Sequence, residues 1–154
     1  MKRSAWVDGI AAAIIFLFIY AAISKLFDYQ NSQLQLSKSP FITEHASVLV
    51  WAVPAMEIFI SLLLVFKRTR IVGFYASLFL MTVFTAYIYA MLHYSYYIPC
   101  SCGGILSHMD WRTHFWFNVV FVVLSIAGII LSLTEKGIAT EARKVIMANE
   151  VYYQ

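Results

Sequence analysis

The hydrophobic positions of this chain gather into four long blocks separated by polar stretches, running over about Trp6–Phe27, Ala46–Phe66, Ile71–Tyr94 and Thr113–Leu133. A helix needs roughly 20 mostly apolar residues to cross a bilayer, and each block supplies them alone. None shows the regular polar alternation of a barrel strand. The pattern predicts an all-α, integral membrane four-helix bundle. Met1-Lys2-Arg3 ahead of an apolar stretch also fits a secretory signal peptide; the expectation here is a retained first transmembrane helix. Between the first two blocks, Ser39-Pro40 offers a helix N-cap and a proline suited to the first helical position. A helix is therefore expected from near Pro40 into the second span. After residue 133 the pattern changes. Ile138, Ala142, Val145 and Ile146 fall at helical spacing, but the stripe ends at the polar Asn149. Residues 1–133 are thus expected to form the membrane domain. Residues 134–154 would form a tail with a short cytoplasmic amphipathic C-terminal helix on the membrane surface, or a helical extension of the fourth span.

Composition sharpens this. Of 154 residues, 62% are hydrophobic and 12% charged, against about 25% charged in soluble domains. A soluble chain this small could not hide so much apolar surface. No basic stripe of a nucleic-acid-binding face is present. The cations are unevenly placed. Lys2, Arg3, Lys67, Arg68, Arg70, Lys136, Arg143 and Lys144 lie on one side of the spans, and only Lys25, Lys38 and Arg112 on the other. The positive-inside rule puts both termini in the cytoplasm. Asp28–His45 and Ser95–Arg112 then face the opposite compartment, the periplasm for a protein of a bacterial inner membrane. Tyr29, Tyr94, Tyr96, Tyr97, Trp111 and Trp116 gather near that outer interface, where amphipathic rings are favoured.

Both cysteines fall in the second outer segment, in Pro99-Cys100-Ser101-Cys102-Gly103-Gly104. Thiols outside the cytoplasm meet an oxidising environment. A disulfide requires Cα atoms roughly 4.4–6.8 Å apart, and an extended i,i+2 pair sits near the top of that range, at about 6.6–7.2 Å. The chain must bend to close such a bond, and Gly103 and Gly104 permit the turn. A bond of this kind is readily reduced, and its tiny loop constrains the unfolded chain little. Thiol–disulfide exchange is a better reason for it than stability. Two other readings stand beside it: a structural or inert pair, and a metal site completed by His108 and His114. The Cys-x-Cys spacing is tighter than zinc sites favour, and no metal is expected. The absence of Cys-x-x-Cys-His excludes covalent haem.

Glu57 lies within the second block, where a charge costs about 2.5–3.5 kcal/mol and normally faces a partner or a cavity. Pro54, three residues earlier, is expected to kink the helix. Lys25, near the end of the first block, is the candidate partner in an interhelical contact beneath the cysteine segment. Thr82 and Thr85 read as helix-packing hydroxyls.

Several of these features, in order, resemble the MauE/DoxX-like family of redox-associated membrane proteins. They are Lys25-Leu-Phe-Asp28, Ser39-Pro40, Pro54-Ala-Met-Glu57, Phe84-Thr85 and Pro99-Cys-Ser-Cys-Gly-Gly104, then Trp111 and Asn118. The resemblance covers roughly residues 8–133. It implies a four-helix inner-membrane protein tied to disulfide chemistry, in methylamine utilisation to disulfides of a periplasmic dehydrogenase subunit. By that resemblance the partners would be membrane lipid and a periplasmic thioredoxin-like or disulfide-containing protein. Cys100 and Cys102 would be the reactive pair, supported by Glu57, Lys25, Pro99, Gly103 and Gly104. The bundle is also similar to that of vitamin K epoxide reductase, but the chain lacks Cys-x-x-Cys and any second pair. Coupling to a quinone, a cofactor that no motif here marks, would have to act on Cys100 or Cys102 directly. The competing expectation is a non-catalytic scaffold subunit of a larger membrane complex with incidental cysteines. A transporter is the more remote reading, since one buried carboxylate offers little pathway.

Overall fold

A computed structural model describes residues 2–37, 43–94 and 110–152. Among them the chain is helical: α1 (Lys2–Phe27), α2 (Tyr29–Ser37), a 3-10 turn (Thr43–His45), α3 (Ala46–Val65), α4 (Arg70–Tyr94) and α5 (Trp111–Tyr152). Four stretches are long and apolar enough to cross a membrane, Ser4–Phe27, Thr43–Val65, Arg70–Tyr94 and Trp111–Glu135. They match the four hydrophobic blocks of the sequence, and the protein is a multi-pass membrane protein.

The spans pack as a ring in which α1 lies on α3, α3 on α4, α4 on α5 and α5 on α1. The core is built from Ile14 and Phe18 of α1, Leu64 of α3 and Phe74 and Met81 of α4, all at most 2% exposed. Only about a third of each span turns inward. Phe16, Phe59, Phe79 and Trp116 are each more than 60% exposed, which is the surface that lipid covers. Hydroxyl side chains of the spans are satisfied by their own helices, both inside and on the lipid-facing surface. Ser61 donates to the Glu57 carbonyl, Thr85 to Met81, Ser125 to Phe121 and Ser132 to Gly128, and the exposed Thr82 to Leu78. In an apolar solvent such back-bonding removes the cost of a free hydroxyl. The Ser125 hydroxyl also lies 3.4 Å from that of Ser77, linking α5 to α4.

The bundle has two distinct ends. At the turn end, α3 reverses into α4 through Phe66–Thr69. The last carbonyls of a helix have no partner within it, and here the turn supplies them. The Thr69 hydroxyl donates to the Leu63 carbonyl at 2.9 Å, and Arg70 Nε to the Leu64 carbonyl at 3.1 Å. Arg70 Nη1 also pairs with Asp8 of α1. Asp8 is 46% exposed and the Arg70 side chain 16%, so the two halves of this clamp differ in weight. Asp8→Asn should cost less than about 1 kcal/mol, as exposed pairs do. Arg70→Ala should cost about 1–3 kcal/mol, because it also strips a carbonyl of its donor. Unfolding in mixed detergent micelles would rank the two, and equal losses would contradict this division.

At the loop end, α1 finishes at Phe27, and α4 and α5 flank residues 95–109. The polar stretch after α1 contains a helix that the sequence pattern did not predict, α2, which packs along α3. The Tyr29 ring lies 5.1 Å from that of Trp51, and the Ser32 hydroxyl donates to the Lys25 carbonyl at 3.4 Å. A 3-10 turn leads into α3 at Ala46; the expected start near Pro40 lies outside the described residues. Pro54 sits buried within α3, whose assignment runs unbroken through it. The fourth span continues without interruption as one helix to Tyr152.

Candidate functional site

The interior of the bundle holds an ion pair toward the loop end. Lys25 sits two residues from the end of α1, where its long side chain can turn inward beneath α2. Glu57 lies on the buried stripe of α3 with Val50, Pro54, Ile60, Ser61 and Leu64. The two are brought together, with Lys25 Nζ donating to Glu57 Oε1 at 2.7 Å. Glu57 is 1% exposed and the Lys25 side chain 17%. The ammonium also stands 6.0 Å from the centre of the Phe84 ring of α4, so three helices contribute to its surroundings.

The fourth span adds His114 and Asn118, one turn apart on the inner face of α5. Asn118 is 3% exposed and its amide nitrogen donates to the His114 carbonyl at 2.9 Å. The His114 ring is partly buried. The sequence offered His114 only as a ligand completing a possible metal site. Its inward orientation was not legible, because a single histidine one turn into an apolar block does not declare which face it occupies.

Two buried side-chain atoms stand apart from the rest. Glu57 Oε2 and His114 Nδ1 are buried and accept or donate no hydrogen bond among the described residues. Every other buried side-chain N or O atom among those residues has a partner. The bundle interior therefore holds an ion pair and, on Glu57 and on His114, two unused hydrogen-bonding positions.

A second feature lies on the lipid side, an apolar cleft of about 360 Å³ between α4 and α5, walled by Thr82, Thr85, Tyr89, Phe115 and Val122. The Thr82 and Thr85 hydroxyls are already committed to carbonyls of α4, so the cleft holds no free hydroxyl proton from them to orient a polar headgroup. No group of three or more His, Cys, Asp or Glu side chains suited to a metal occurs among the described residues. Cys100, Cys102, Pro99, Gly103, Gly104 and His108 lie outside them, as does the position of the ion pair relative to the cysteine segment.

Compared with known families, the chain matches the model described as methylamine utilisation protein MauE over residues 1–131. Neither a curated protein nor a solved structure matches it.

Proposed function

This chain belongs to the MauE family of methylamine utilisation proteins, and from that premise we propose that it is a thiol–disulfide redox protein acting through Cys100 and Cys102. The observation that carries the reading is the Cys-Ser-Cys pair itself. It falls in the segment between α4 and α5, flanked by Pro99 and by Gly103-Gly104. The charge distribution supports an inner-membrane protein with both termini in the cytoplasm and that segment in the periplasm.

The chemistry is a two-step exchange. A thiolate of the pair attacks a disulfide of a periplasmic partner, forming one mixed S–S bond and releasing one partner thiolate. The second cysteine then attacks its neighbour's sulfur in the mixed disulfide. The pair ends as Cys100–Cys102 disulfide and the partner as a dithiol, two electrons having moved to the partner. Run in reverse, an oxidised pair accepts two electrons from a partner dithiol. The short loop of the pair favours exchange over permanence, since closing so few residues confers little stability. Lys25 and Glu57 would serve this chemistry by fixing α1 against α3 inside the membrane.

Trapping tests it. Removing one cysteine leaves the other unable to resolve the intermediate, so Cys100→Ser or Cys102→Ser should accumulate a mixed disulfide with a periplasmic protein. It would appear on non-reducing gels of acid-quenched cells as a band of higher mass that dithiothreitol removes. The double substitution should show none. Clean absence of adducts from both single variants would count against thiol exchange and favour a scaffold role.

A further inference from the structure

We infer that the groove between α4 and α5 is a binding site for one anionic phospholipid, with its acyl chain in the apolar cleft and its phosphate on Arg112. This goes beyond the redox reading and does not depend on the cysteines.

The groove has two parts that share walls. Its deeper part is the apolar cleft of about 360 Å³. A smaller hollow of about 160 Å³ adjoins it, and Tyr89 and Phe115 line both. His93, Arg112 and Trp116 line the smaller part alone. The shared rings face one another from the two helices, with centres 6.4 Å apart. His93 stacks on Tyr89 at 4.1 Å, and Trp116 meets Phe115 edge-on at 5.6 Å. Cleft and hollow therefore form one continuous slot with an aromatic waist.

Its length fits one leaflet. His93 and Arg112 each lie one residue inside an end of the spans Arg70–Tyr94 and Trp111–Glu135. Thr82 is the middle residue of the first span, and Val122 stands beside the middle of the second. The slot thus runs from the membrane edge at the loop end to the midplane. At about 1.5 Å per residue this is roughly 15 Å, half of the ~30 Å hydrocarbon core. Its width suits a hydrocarbon chain. A helix about 10–12 Å across would fill roughly 1,200–1,700 Å³ over that length, several times the space present.

The polarity of the slot is confined to its mouth. Deeper in, the Thr82 and Thr85 hydroxyls are held by α4 carbonyls. At the mouth the exposed Arg112 enters no hydrogen bond or ion pair among the described residues. The neighbouring Asp110 is exposed and does not pair with it. The first turn of α5 carries no acidic residue, so an anion there also meets the positive end of the helix dipole. A guanidinium grips a phosphate through two parallel N–H···O bonds, whereas a neutral headgroup leaves its charge unanswered. A cation at the membrane edge above a chain-wide apolar slot one leaflet deep matches an anionic phospholipid, and a soluble anion would leave the slot empty.

Native mass spectrometry tests this on the unmodified protein, released from micelles holding equal amounts of phosphatidylglycerol and phosphatidylcholine with the same acyl chains. One phosphatidylglycerol should be retained with a preference of about fivefold, the worth of one basic residue at a membrane surface. Arg112→Gln should bring the preference close to unity. Lys67→Gln with Arg68→Gln, exposed cations at the turn end, should leave it unchanged. Equal retention of both lipids by the unmodified protein, or a preference that survives Arg112→Gln, would overturn the inference. Location is read separately, with phosphatidylglycerol carrying a photoreactive diazirine in mid-chain, in phosphatidylcholine bilayers. Its adducts should concentrate on α4 and α5 around Tyr89, Phe115 and Val119, and unlabelled phosphatidylglycerol should displace them. Adducts spread equally over exposed Phe16 and Phe59 would mean unselective lipid contact and sink the site. Displacement by free glycerol 3-phosphate would make the ligand a soluble anion. Displacement by a neutral isoprenoid quinone but not by phosphatidylglycerol would reject the charged headgroup, and exclusion of the label by a dimer would give the groove to a second copy. Both measurements can be run with Cys100→Ser and Cys102→Ser present, so failure of thiol exchange leaves the result unaffected.

Discussion

Replacing Glu57 with alanine is expected to be among the most damaging single changes in the protein, costing about 3 kcal/mol of resistance to unfolding in mixed detergent micelles. Removing one partner of a buried ion pair strands the other charge, and the usual loss is about 3–5 kcal/mol. The lower end applies because Lys25 keeps 17% exposure and sits near the end of α1. Its flexible stem can carry the ammonium toward the headgroups. The informative comparison is with the double substitution Lys25→Met and Glu57→Leu, which leaves no charge behind and fills the space with apolar atoms. Replacing a buried pair by hydrophobic residues is often neutral or stabilising, so the double variant should recover most of the loss. A double variant as unstable as Glu57→Ala would mean that the pair contributes through shape or specific hydrogen bonding rather than through mutual neutralisation.

The second large effect comes from packing. A Cβ on Gly128 of α5 would stand 2.5 Å from Cε1 of Phe74 and 2.7 Å from its Cδ1 and Cζ. Phe74 is fully buried, so its ring has no open side to move into. Overpacking of this kind costs typically about 1–3 kcal/mol, set against a helix-propensity gain for alanine of about 1 kcal/mol. Gly128→Ala should therefore destabilise the bundle by up to about 2 kcal/mol net. Two companions make the measurement specific. Gly9→Ala, where the new methyl meets nothing within 4 Å, should be neutral or slightly stabilising. Phe74→Leu should weaken the effect of Gly128→Ala, because a shorter side chain frees the contested space. Additive losses in that double variant would show that ring contact is not the cause. Gly73 makes a comparable close approach, since a methyl added there would stand 2.9 Å from Leu64 Cδ2. The ring of helices thus closes through small residues on both faces of α4.

The four spans were legible in the sequence because a block of about 20 apolar residues announces a membrane helix whatever surrounds it. The contact between Lys25 and Glu57 was legible for a related reason, since two opposite charges inside apolar blocks have few other partners. α2 was not. Its residues, Tyr29-Gln-Asn-Ser-Gln-Leu-Gln-Leu-Ser37, carry no apolar stripe, and the helix rests on contacts with α3 that only the fold creates. The Asp8–Arg70 pair spans 62 positions and depends on α1 and α4 meeting at the same end. His114 and Asn118 were hidden likewise, because their inward direction follows from how α5 is rotated. The unbroken course of α5 turns on Gly137, which lies in the helix. A glycine weakens a helix by only about 1 kcal/mol, too little to mark an end where no proline follows.

That unbroken course has a mechanical meaning. At about 1.5 Å per residue, the 42 residues of α5 form a rod of roughly 63 Å, about twice the hydrocarbon thickness of a bilayer. Its last turns and His114 are parts of one shaft. Torque applied at the far tip, by a protein or by the curvature of the lipid there, would be carried along α5 to the turn that holds His114 and Asn118 without any chemical signal crossing the membrane.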